Sequence, residues 1–123
     1  MSVRLILLSA VLLSGCGSYC HKNSVRYESA DRSRVVSVDR ADECMGATTG
    51  FITDVILSEQ IDGSKPTERV IFTGRGFIRV SVHWAGLDQL EITYRRSKQA
   101  SSRVVQQVSK TDHTIIAYRE EWD

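Results

Sequence analysis

The chain has 123 residues, with 16 lysines and arginines against 15 aspartates and glutamates, three histidines and three cysteines. This length suits one domain with a single modest core. With no basic stripe to neutralise phosphates, nucleic-acid binding is excluded, and no run of lysines and arginines offers a polybasic cluster to anionic lipid heads.

The first segment is a signal. Met1 to Arg4 carry one positive charge, and Leu5 to Leu13 read LILLSAVLL, apolar except for Ser9. Spanning a bilayer takes about 20 apolar residues, so this run is too short for a permanent anchor and suits a signal h-region. It closes on Leu13-Ser14-Gly15-Cys16, which resembles the cleavage and lipidation site of bacterial lipoproteins. Residues 1–15 are therefore expected to be removed. The Cys16 thiol is expected to take a diacylglycerol and its freed amine a further acyl chain, since stable anchoring needs two or more chains. Gly17 follows Cys16. In such lipoproteins an Asp at that position holds the protein at the inner membrane, so its absence points to the outer membrane of a Gram-negative cell, facing the periplasm. Loss of Arg4 leaves a mature chain with a formal charge of zero.

Residues 16–23 read as the lipidated N-terminus and a short tether, and residues 24–123 as the folded domain. Cys20 and Cys44 are the cysteines left once Cys16 is acylated. Outside the inner membrane the compartment is oxidising, and these two are expected to form a disulfide. The loop so closed stabilises by roughly 3 to 4 kcal/mol in a chain-entropy picture. A redox or metal pair is the alternative reading, but no Cys-x-x-Cys accompanies them.

From Val25 onwards the chain alternates in twos. Strands are expected at Val25 to Glu28, Arg34 to Val38, Phe51 to Leu57 and Val70 to Phe72. The clearest case is Phe77 to Trp84, with Ile78, Val80, Val82 and Trp84 on one face and Arg79, Ser81 and His83 opposite. Leu90, Ile92 and Tyr94 alternate likewise, after a hairpin connection at Ala85-Gly86-Leu87-Asp88. Arg103 to Ser109 fits a helical turn or a strand, and its β-branched content favours a strand. Thr114 to Arg119 closes the series. Gly74-Arg75-Gly76 reads as a turn, Asp42-Glu43 as part of a solvated turn, and Ser58 to Glu68, with the single proline Pro66, as the longest loop. Seven or eight short strands with tight connections predict a mainly β fold. The expected architecture is one small antiparallel domain, a sandwich or a strongly curved sheet.

Cys44-Met45-Gly46-Ala47-Thr48-Thr49-Gly50-Phe51 resembles the Cys-Gly-Ala-Thr-Thr-Gly-Phe signature of a family of small, uncharacterised bacterial envelope proteins, many of them lipoproteins. Cys20 lies upstream as a cysteine does in that family, and Ser29-Ala30-Asp31-Arg32 stands where the family often has Ser-Pro-Asp-Gly. Val80 to Trp84 with Leu90 to Tyr94 resembles its later strand pair, and Ile115 to Tyr118 its closing strand. Met45 is an insertion within the signature, and the turn lacks both its Pro and its Gly. The resemblance implies the Cys20–Cys44 bridge and a β fold, and brings no activity with it. The small residues Gly46 and Gly50 would let a ligand or partner strand approach the backbone. The simpler reading is a tight bend beside the disulfide, with Thr48 and Thr49 bonding local backbone.

The usual chemical signatures are missing. His21, His83 and His113 are scattered and at no metal-ligand spacing, Thr73-Gly74-Arg75-Gly76 lacks a Walker lysine, and there is no Gly-x-Ser-x-Gly elbow. No cofactor and no catalytic residue is expected. Trp84 fits a core position and Trp122 an exposed contact. The chain is thus expected to be a lipid-anchored, non-catalytic interaction or structural module, of which an immunity or exclusion lipoprotein is one kind. Its partners would be the membrane, through the acyl chains on Cys16, and another envelope protein. The alternative is a small periplasmic enzyme with an unrecognised site.

Overall fold

A computed structural model describes residues 19–43 and 50–123. The signal, Cys16, Cys44 and Gly46 to Thr49 lie outside the described residues. Within them the chain is all β: β1 (Tyr19–Glu28), β2 (Arg34–Glu43), β3 (Gly50–Glu59), β4 (Thr67–Gly76), β5 (Ile78–Trp84), β6 (Gln89–Arg96), β7 (Ser102–Gln107) and β8 (Ile115–Trp122). They form a five-stranded sheet in the order β1-β2-β3-β4-β7 and a three-stranded sheet in the order β5-β6-β8. The expected mainly β domain is present, as two sheets facing one another across a core.

Several strands run longer than expected. β1 begins at Tyr19, so Tyr19 to Asn23, expected as tether, are strand paired with β2. Asp42 and Glu43, expected in a turn, end β2 and pair with Phe51 and Gly50. Gly74 to Gly76 belong to β4, and the passage between sheets is made by Phe77 alone. Gly76 permits it: its φ is +90°, and a Cβ there would collide with the Ser101 carbonyl oxygen. In each case neighbouring-strand hydrogen bonds extended a segment whose own residues carry too little apolar alternation to announce a strand.

The core fills from both inner faces. Val36, Val55, Leu57, Ile71 and Phe72 come from the large sheet, and Ile78, Leu90, Ile92, Tyr94 and Ile116 from the small one. Consecutive Ile71 and Phe72 are both fully buried because the β3–β4 register slips there, from Val55↔Phe72 to Ile56↔Val70. Such a bulge turns an extra side chain inward. The Phe72 ring packs 5.2 Å from Tyr94 and 6.1 Å from Tyr118.

The last strand departs from the expected antiparallel order. After β6 the chain crosses to the large sheet as β7, then returns as β8 parallel to β6, with Leu90 opposite Ile116. That passage supplies the crossover a parallel pair needs. Tyr118 secures it: its hydroxyl donates to the Val108 carbonyl at 2.7 Å and lies 2.8 Å from the Ile71 carbonyl. Burial pushes that phenol up to about 12. At the other side Trp84 Nε1 donates to the Tyr27 carbonyl at 3.0 Å and ties the edges of β5 and β1.

Candidate functional site

The alternation of strand directions gives the molecule two poles. One collects the start of β1, end of β2, start of β3, end of β4, start of β5, end of β6, start of β7 and end of β8. The chain reaches this near pole three residues after Cys16. Tyr19 pairs with Glu43 at this pole. Of the signature, Gly50 and Phe51 open β3 here.

Phe51 stands at the centre of an aromatic and arginine group. Its ring meets Phe77 edge-on at 5.2 Å, and the Arg40 guanidinium lies 4.1 Å above it. Such stacking holds a guanidinium against an apolar surface while leaving its charge. Phe77 is 51% exposed. It borders a cleft of about 340 Å3, together with Arg40, Ile78, Arg79 and Asp123. Beside Asp123, Trp122 is 49% exposed and sits 4.7 Å under the Arg96 guanidinium. Arg96 also donates to Glu120 at 2.8 Å, and Arg95 to Glu121 at 2.9 Å. The Glu121 carboxylate holds the Arg95 charge still more firmly.

The far pole is built differently. Arg34 and Glu59 face each other across β2 and β3 and are both buried. They meet through Thr114, which accepts from Arg34 Nε at 3.0 Å and donates to Glu59, while Thr111 donates to the same carboxylate at 3.0 Å. Arg34 also donates to the His113 carbonyl at 2.8 Å. The network clamps the β7–β8 loop onto the large sheet. Next to it lies a cleft of about 280 Å3 lined by Glu59, Lys65, Glu68, Arg69, Asp112 and His113, among others.

Trp122 is exposed as expected, whereas Trp84, expected in the core, is half-buried and packs against the core's margin. Period-two counting also marks three charged residues, Arg34, Arg40 and Glu59. Arg34 and Arg40 share a face with Val36 and Val38, and Glu59 shares one with Val55 and Leu57, so each charge falls at an inward position. Among the described residues no group of three metal-ligating side chains assembles. Comparison of the chain with family models, with curated proteins and with solved structures found no match.

Proposed function

We propose that the chain is a lipid-anchored interaction module of the bacterial envelope, held on the periplasmic side by acyl chains on Cys16 and stapled by a Cys20–Cys44 disulfide. One observation carries the binding role: β1 is an overhanging edge strand. It pairs with β2 alone, and Lys22 to Arg26 are exposed on both faces, Val25 by 51%. The two sheets differ in width, five strands against three, so little of the small sheet reaches β1 beyond the Trp84 contact with Tyr27. An unpaired edge with an apolar side chain in reach is a template for a partner's strand. Its position, directly after the anchor, suits a partner in or at the same membrane, including the target of an immunity or exclusion protein.

Photo-crosslinking from Arg26 in intact cells, followed by pulldown, is expected to capture one dominant envelope protein, with crosslinks from Asp88 as the control. No adduct above background from Arg26 overturns the proposal. Mass spectrometry under non-reducing conditions is expected to find Cys20 joined to Cys44, and free thiols at both remove the staple.

A second reading, a small periplasmic enzyme, is favoured by the far-pole cleft, where Glu59 and His113 lie on one wall system. Turnover of chromogenic ester, phosphate or glycoside substrates that disappears in His113→Ala supports it, and inert protein counts against it.

A further inference from the structure

We propose that the near pole docks directly on an anionic phospholipid surface, with Phe77 and Trp122 entering the headgroup layer and arginines meeting the phosphates. The inference rests on the anchoring of Cys16, and adds to it a second, non-covalent membrane contact.

Three observations converge. The first is reach. Cys16 precedes Tyr19 by three residues, which span roughly 10 Å at full extension, so acyl chains on Cys16 hold this pole and no other against the bilayer. The second is side-chain type. Phe77 and Trp122 are the aromatic residues about half exposed among the described residues, both lie at this pole, and their rings suit the membrane interface. The third is charge. The near-pole stretches 19–22, 40–43, 50–53, 74–80, 94–104 and 120–123 hold eight lysines and arginines against five acidic residues. The far-pole stretches 27–35, 58–69, 83–91 and 107–116 hold five against eight. A chain without net charge after processing is thus folded into a molecule positive at the end beside the anchor and negative at the other. That orientation is attracted to anionic headgroups, over the distance that salt allows. Arg96 over the half-exposed Trp122 places cation and ring together, which is the combination a headgroup layer accepts.

The two tryptophans provide the test, since Trp84 marks the far pole and Trp122 the near one. The full-length protein extracted from membranes is reconstituted into vesicles of phosphatidylethanolamine and phosphatidylglycerol, with and without lipids brominated near the headgroup. Trp122 emission is expected to be quenched roughly twofold by the brominated lipid. The quenching disappears in Trp122→Phe, where only Trp84 reports, and weakens in Arg79→Glu/Arg103→Glu and when phosphatidylcholine replaces phosphatidylglycerol. Equal emission in brominated and plain vesicles, from protein that floats with them, overturns the docking. The mass of the N-terminal peptide reports separately on the anchor: an unmodified Cys16 overturns the anchoring and the docking together, whereas an acylated Cys16 with unquenched Trp122 overturns the docking alone.

Discussion

The two poles solve the same problem, the ending of eight strands, in opposite ways. At the far pole charged groups go inside: Arg34 and Glu59 are buried and bridged by Thr114. At the near pole apolar rings come outside: Phe77 and Trp122 are exposed beside arginines. A buried, fully bonded network locks a loop in place and gives little surface to a partner. Exposed rings beside guanidinium groups do the reverse, adding little to stability and much to contact. The comparison separates what holds this fold together from what it presents.

The largest expected effect is at the far pole. Glu59→Ala leaves Arg34 buried without its carboxylate and should cost about 3 to 5 kcal/mol in urea unfolding. The double variant Arg34→Met/Glu59→Leu should cost less than Glu59→Ala alone, because no buried charge remains. A double variant worse than the single one would break the view of this pole as a structural lock.

Glycine substitutions compare the poles next. Gly76→Ala at the near pole meets both a left-handed φ and the Ser101 carbonyl, and should cost about 3 kcal/mol. Gly63→Ala in the far-pole loop has φ +71° but open space around it, and should cost about 1 kcal/mol. Thermal unfolding distinguishes the two, and equal losses would show that the passage between sheets has slack.

Tyr118→Phe should cost about 1 kcal/mol through the hydrogen bond lost at Val108. Its titration gives the sign of the alkaline limb. The folded phenol titrates at about 12 against 10.0 in the open chain. The stability it contributes is intact below pH 10 and is lost as pH rises towards 12. In Tyr118→Phe that part of the alkaline loss should vanish.

The smallest effect belongs to the exposed β1–β2 turn. Asp31 accepts from the Ser33 amide and from the Ser33 and Ser29 hydroxyls, and these bonds, Ser33 first, hold its carboxyl down to about 2 from 3.8. Its contribution is present above pH 3.8 and is lost as pH falls towards 2. Asp31→Asn should flatten that part of an acid titration. Arg32, next to it, has φ +61°, so Arg32→Gly should relieve backbone strain by up to about 1 kcal/mol.

Local alternation determined much of this molecule. Val80, Val82 and Trp84 against Arg79, Ser81 and His83, and Leu90, Ile92 and Tyr94 against their polar neighbours, mark strands because a side chain on a pleated sheet has only two directions to point. The Ala85–Asp88 hairpin was legible for the same reason, and lies where Ala85 bonds back to Gln89. Of the stretch Cys44 to Phe51, only Gly50 and Phe51 fall among the described residues, where they open β3. What the local pattern could not carry was partnership. The strand status of Tyr19 to Asn23 depends on hydrogen bonds from β2, and the parallel seat of β8 on a passage through the other sheet. Charge shows this most plainly. Counted along the chain, 16 lysines and arginines are mixed with 15 acids and nearly cancel. Eight strand ends brought to one pole turn the same residues into a positive, aromatic surface, because neighbours in space there are strangers in sequence.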